Sequence, residues 1–117
     1  MTAYGLTVRW SLADAAPGVA QELRDFIRDR SLDRFTGMAG LRFKTWRMVE
    51  GEWFEGTYVW ETAAARDAFA ETDRAGMADS PGTRIIGSPP VLHEPFEVVG
   101  VAEGGAGFAA GPGPGSA

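Results

Sequence analysis

Two neighbouring runs, 41–49 and 53–61, constrain this chain most, because each carries large apolar residues on both parities. Leu41, Phe43, Trp46 and Met48 stand in the first, and Trp53, Phe54, Tyr58, Val59 and Trp60 in the second. A strand with one face in water alternates apolar and polar residues; a strand covered on both faces does not. Glu50-Gly51-Glu52 between the runs is a tight hairpin signal. The fold must therefore cover this hairpin on both sides.

The flanking segments supply one of the two covers. Tyr4, Leu6, Val8, Trp10 and Leu12 alternate with Gly5, Thr7, Arg9 and Ser11, a period-2 strand. Val19, Leu23, Phe26 and Ile27 recur at helical spacing within 17–30, with Pro17 suited to a first turn. Thr62 is a plausible N-cap for a helix over 63–75, whose inward residues would be Ala65, Ala68, Phe69 and Thr72, and Gly76 supplies its stop. A Pro/Gly/Ser-rich connection runs from Met77 to Pro90, with Ser80-Pro81-Gly82 and Ser88-Pro89-Pro90 as loop punctuation. Residues 91–101 read as a last strand, with Pro95 favouring an edge position or a bulge.

The order is βαββαβ, an α+β ferredoxin-like plait with a four-stranded antiparallel sheet and both helices on one face. Helices cover only one face of that sheet. A second copy packed sheet to sheet covers the other, so a homodimeric α+β barrel is expected, with a pocket between the sheets.

Composition narrows the chemistry. Residues 102–117 hold six Gly, five Ala and two Pro among 16, too little apolar surface to offset ordering, so residues 1–101 form the expected domain and 102–117 a flexible tail. The chain has no Cys and one His, which removes disulfides, thiolate metal sites, a cysteine nucleophile and a multi-histidine metal centre. A formal charge of −5 argues against nucleic acid. No apolar run approaches the roughly 18 residues of a membrane span, and a cytoplasmic protein without a membrane partner is expected. There is no phosphate loop, dinucleotide fingerprint or serine triad.

Gly40-Leu41-Arg42-Phe43-Lys44-Thr45-Trp46, then Gly56-Thr57-Tyr58-Val59-Trp60-Glu61 and an alanine-rich helix to Phe69, resembles the YdhR family of monooxygenases. Pro95-Phe96-Glu97-Val98 resembles that family's last strand. The family belongs to the dimeric α+β-barrel superfamily, with the antibiotic-biosynthesis monooxygenases. Trp60-Glu61-Thr62-Ala63-Ala64 matches the superfamily's junction of aromatic, acidic residue, Ser/Thr and helix. In haem-degrading relatives the corresponding Trp lines the cavity and a His on the next helix holds iron. Here 63–75 contains no His, and His93 lies on the last strand. The resemblance therefore implies oxidation of a small aromatic or polyketide-like molecule by oxygen, with no cofactor.

Such chemistry needs a dry cavity, stacking walls and a polar group that makes or holds a substrate anion. Trp60, Trp46, Phe43 and Phe54 are the candidate walls. Arg9, His93 and Tyr58 are the candidate catalytic groups. Arg9 lies opposite the apolar parity of its strand, so it points between the sheets and needs a carboxylate such as Glu55 or Glu97, or a ligand anion. A two-residue hairpin loop puts Phe43, Thr45 and Arg47 on the face of Tyr58 and Trp60; a three-residue loop puts Arg42, Lys44 and Trp46 there. Two other functions fit the same residues: a non-catalytic dimer that binds a small hydrophobic ligand, and an isomerase or cyclase using His93 and Tyr58. Each aromatic also has a plainer reading as core or dimer packing, and Arg9 as one half of an ion pair.

Overall fold

A computed structural model describes residues 2–108. Strands β1 (Ala3–Ser11), β2 (Leu41–Val49), β3 (Trp53–Trp60) and β4 (Leu92–Val98) form one antiparallel sheet in the order β2-β3-β1-β4. Both long helical segments connect strands that are not hydrogen-bonded in sequence order, which is the ferredoxin-like α+β plait. The alternation of β1 decides which face they cover. Leu6, Val8 and Trp10 are buried against the helices, and Leu6 and Val8 are fully enclosed.

The first helical segment is longer than its apolar spacing implies. Helix α1 (Val19–Phe26) passes through a π turn (Ile27–Ser31) into α2 (Leu32–Phe35). The wider turn lets one segment bury Val19 and Leu23 at one end and Phe35 at the other. Helix α3 (Ala63–Ala75) has the expected bounds, and its Thr62 side chain accepts the Ala65 amide at 3.1 Å. Its inner face differs from the expected one. Ala65, Arg66, Phe69, Ala70 and Asp73 turn inward, while Ala68 and Thr72 are exposed.

The expected loop from Met77 to Pro90 instead contains a 3₁₀ turn (Met77–Asp79) and a short helix α4 (Pro81–Ile86). The Ser80 hydroxyl accepts the Thr83 amide, Pro81 occupies the first turn, and Gly87 closes the helix at φ 89°. Ser80-Pro81-Gly82, which reads as loop punctuation, therefore opens a helix, whereas Ser88-Pro89-Pro90 follows the Gly87 cap outside any helix or strand. Gly82 is required by close packing, since a Cβ there would come within 3.0 Å of the Trp10 ring. The Trp10 indole N–H donates to Thr83 Oγ1 at 3.2 Å, so α4 is pinned to β1 by one satisfied buried bond.

Strand β4 ends at Val98, three residues before its expected limit. Residues 99–108 have no strand pairing, and the Phe108 ring stacks on Phe43 at 5.4 Å. Of the expected tail over 102–117, residues 109–117 lie outside the described residues. No helix among the described residues is long and apolar enough to cross a membrane.

Candidate functional site

The hairpin fixes the site, because it decides which side chains share a face. Val49 pairs with Trp53, so Glu50-Gly51-Glu52 is a three-residue connection, with Gly51 at φ 76° and the Glu52 amide bonded to the Val49 carbonyl. The two-residue alternative is excluded. Lys44, Trp46 and Met48 consequently share the helix-covered face with Phe54, Gly56, Tyr58 and Trp60. Phe43, Thr45 and Arg47 share the open face with Trp53, Glu55, Thr57 and Val59. The expected site residues thus fall on opposite sides of the sheet. Trp60, Trp46, Tyr58 and Phe54 lie under the helices, not in a space between two sheets, and Phe43 and Arg9 are on the far side.

Arg9 meets a carboxylate of its own chain. Its Nε donates to Glu55 Oε2 at 3.0 Å and its Nη2 lies 2.9 Å from the same oxygen. Arg47 donates to Oε1 from β2, and the Thr57 hydroxyl donates to that oxygen at 3.1 Å. Burial pushes the Glu55 carboxyl up, but the bonds from Arg47, Arg9, Thr57 and Thr7 outweigh it and hold the group below the usual range. Trp53 completes the cluster, with the Arg9 guanidinium 4.1 Å from its ring centre. Glu97 takes no part, because its register partner Tyr4 places it on the other face.

Under the helices the aromatics converge. The Phe35 ring lies edge-on to Trp46 at 6.1 Å, Tyr58 at 5.6 Å and Phe69 at 6.2 Å. Phe69 closes on Tyr58 at 4.7 Å and on Trp60 at 5.1 Å. Phe54 stands apart, packed on Trp10 at 5.7 Å. Burial, with help from the Asp73 charge, raises the Tyr58 hydroxyl above its ordinary range, so it stays protonated. Trp60 is 4% exposed, and among the described residues its indole N–H has no hydrogen-bond partner. An orphaned buried donor costs about 1–3 kcal/mol unless something accepts from it.

Lys44 is the polar group of this cluster. Its Nζ lies 3.7 Å from the centre of the Phe35 ring, 4.2 Å from that of Tyr58 and 4.5 Å from that of Trp46. Burial, together with the nearby Arg34 charge, holds the amine well below the usual lysine range, and Asp73 only partly offsets this. Gly56 leaves the space these groups fill, since a Cβ there would lie 3.3 Å from Lys44 Cε and 3.7 Å from Tyr58 Oη.

His93 faces the helices from the edge strand. Its Nε2 lies 3.3 Å from Asp73 Oδ2, and Arg74 Nη2 lies 3.1 Å from its Nδ1. A guanidinium only donates, so Nδ1 accepts and the proton sits on Nε2, directed at Asp73. An open cleft of ≈ 520 Å³ runs beside this dyad between α3 and the β1–β4 edge, lined by Leu6, Ala70, Arg74 and Pro95 among others. Among the described residues no group of three His, Asp or Glu side chains is placed to hold a metal ion.

Sequence reasoning missed Lys44, Asp73 and Arg74. Lys44 was readable only within the three-residue alternative for the hairpin, beside Arg42 and Trp46, and not as a functional group. The register separates the basic residues of β2: Arg47 joins Glu55, Arg42 sits exposed at the irregularity between Leu41 and Phe43, and Lys44 turns inward. Asp73 was hidden by a helical phase one residue off.

No protein-family model matches the chain, and no curated protein matches it. Solved structures do. NE2512 of Nitrosomonas europaea, a protein of unknown function, superposes with a TM-score of 0.62 at 24% identity over 87% of this chain and 94% of that one. PA3566 of Pseudomonas aeruginosa superposes at 0.51 with 19% identity over 87% of this chain and 97% of that one. These two likenesses show the α+β fold. A Chloroflexus aurantiacus protein provisionally described as an antibiotic biosynthesis monooxygenase aligns over 90% of this chain and 99% of its own at 19% identity, with a TM-score of 0.46. That likeness is too distant to carry the fold, which stands on the first two.

Proposed function

We propose that this chain is a cofactor-independent monooxygenase of the YdhR type, acting on a small aromatic or polyketide-like molecule. One observation carries the reading. The Trp60 indole N–H is buried without a partner, on a ring that packs against Phe69, which in turn closes on Tyr58 over Lys44. A closed core of aromatics has no use for an orphaned donor, whereas a substrate oxygen would satisfy it. The rings supply stacking walls, and their exclusion of water protects a carbanion or enolate from reprotonation while oxygen reacts.

The site follows from this. Trp60, Tyr58, Trp46 and Phe35 form the walls, and the Trp60 N–H is the anion donor. The protonated Tyr58 hydroxyl is a second donor. His93 acts from the β4 edge, where its Nε2 faces Asp73. Arg9 and Phe43 belong instead to the open face, which we propose meets a second copy of the chain in a cytoplasmic homodimer. Phe43, Phe96 and Val98 give that face its apolar area, and the Arg9–Glu55–Arg47 cluster its polar centre. A sedimentation mass near 12.5 kDa at micromolar concentration would contradict the dimer.

The activity is tested by oxygen uptake with a hydroxynaphthalene or anthrone and no added cofactor. Uptake above the protein-free rate supports the monooxygenase. Product that forms equally well without oxygen would identify an isomerase or cyclase. Saturable binding of the probe with neither product nor uptake would identify a ligand-binding protein.

A further inference from the structure

The chain has eleven basic residues, and ten of them are arginine; Lys44 is its single lysine. The surface uses arginine for its ion pairs, as Arg9, Arg24, Arg28, Arg47 and Arg66 show. The one amine is turned under the helices and framed by three rings. Chemically the two side chains differ in one decisive respect. Arginine cannot give up its proton in a protein, and lysine can.

The surroundings of Lys44 favour an amine that cycles between its two forms. From β3 it faces the Tyr58 hydroxyl, from α2 the Arg34 guanidinium, and from α3 the Asp73 carboxylate. Asp73 acts on it through space, with no hydrogen bond between them, while its Oδ2 faces His93. Among the described residues Lys44 forms no ion pair, so no carboxylate locks it as ammonium. The ring faces of Phe35, Trp46 and Tyr58 nonetheless attract an ammonium once one forms. Gly56 lets its Cε and the Tyr58 hydroxyl pack against the strand backbone, where a Cβ would crowd them.

We propose that Lys44 is the general base of this aromatic cluster, taking the hydroxyl proton of an acidic phenol or enol. The inference rests on the function proposed above and names the group that ionises its substrate. The O–H bond breaks, its electron pair stays on oxygen, and a third N–H bond forms on Nζ. The product is a phenolate or enolate beside an ammonium, each stabilised by the other where water is scarce. The step needs no oxidant; oxygen enters only afterwards. Burial of the free amine, which lowers its affinity for a proton, keeps it ready before substrate arrives.

A single lysine makes the test direct. With lysine labelled by ¹³C at Cε, the full chain gives one side-chain amine resonance, and its titration is that of Lys44. A midpoint at least one unit below the ordinary value of roughly 10.4 is expected, and an ordinary midpoint would overturn the proposal. A hydroxynaphthalene is then added without oxygen, at a pH below its own ionisation. The wild-type chain should produce the naphtholate absorption band while the Cε resonance moves to its ammonium position. Lys44→Met, which keeps the stem, and Lys44→Arg, which keeps a cation but cannot accept a proton, should both lose at least nine-tenths of that band while keeping the wild-type circular dichroism. A band retained by Lys44→Arg would mean that charge alone is enough, and a wild-type chain without the band would mean that Lys44 ionises nothing; either overturns the proposal. Because oxygen is absent, failure of the monooxygenase reading leaves this result standing. Oxygen uptake by Lys44→Met at the wild-type rate would overturn the role of Lys44 alone.

Discussion

Glu55 stands directly opposite Arg9 across the β1–β3 ladder, and its Oε2 accepts the Arg9 Nε–H at 3.0 Å. Arg47 is its register partner on the other side, so one carboxylate, 2% exposed, joins three strands. Replacing Glu55 with Gln keeps the shape but leaves two arginines facing each other. The expected loss is about 2 kcal/mol of unfolding free energy at neutral pH, from urea titration. Glu55 is held below its ordinary range in the folded chain. Its contribution is therefore present above the unfolded carboxylate range, about pH 4.3, and fades as pH falls through the lower folded value. The wild-type and Glu55→Gln curves should converge in acid; a gap that stays constant to pH 2 would contradict this cluster.

Phe35 is the hub of the aromatic cluster, touching Trp46, Tyr58 and Phe69 and underlying Lys44. Phe35→Ala should cost about 3–5 kcal/mol in urea unfolding. A loss below 1 kcal/mol would show that the rings do not depend on one another as described.

His93 is the sole histidine, so its imidazole is a single NMR spin system. The Arg74 bond to Nδ1 fixes the proton on Nε2, and ¹⁵N correlation spectra near neutral pH should show that tautomer. Arg74 is exposed, so Arg74→Ala should change stability by less than about 0.5 kcal/mol. The same variant should let the Nδ1–H tautomer appear. A wild-type imidazole protonated on Nδ1 would contradict the Asp73–His93–Arg74 arrangement.

The N-cap of α3 sets where Phe69 and Asp73 reach the sheet. Thr62→Ala removes the bond to the Ala65 amide and should cost about 1 kcal/mol. A change within error would mean that α3 is positioned by packing alone.

Much of this architecture was legible because its signals are local. The alternation of Leu6, Val8 and Trp10 gives β1 and its buried face, and Thr62 and Gly76 bracket α3. Pro81 misled because a proline in the first helical turn looks, without its partners, like loop punctuation; only Ser80 accepting the Thr83 amide distinguishes the two. The site was less legible because it depends on register. One residue in the hairpin connection decides whether Phe43 or Lys44 meets Tyr58, and apolar residues on both parities leave that choice open. Asp73 needed the helical phase of α3, which the alanines on every side of it blur. Glu55 was one of several candidate partners for Arg9, with Glu97 and a ligand anion, and the β1–β3 register decides between them, whereas the isolation of Lys44 appears only in three dimensions.

The central claim is that a substrate oxygen satisfies the buried Trp60 N–H while oxygen is consumed. Trp60→Phe keeps an aromatic ring at the position and removes that donor together with the pyrrole half of the indole. Oxygen uptake with a hydroxynaphthalene or anthrone, compared between the two chains at equal concentration, measures the claim directly. The account predicts uptake above the protein-free rate for the wild-type chain and a drop of about tenfold or more for Trp60→Phe. Wild-type uptake no faster than the protein-free rate, or equal rates for the two chains, would contradict it.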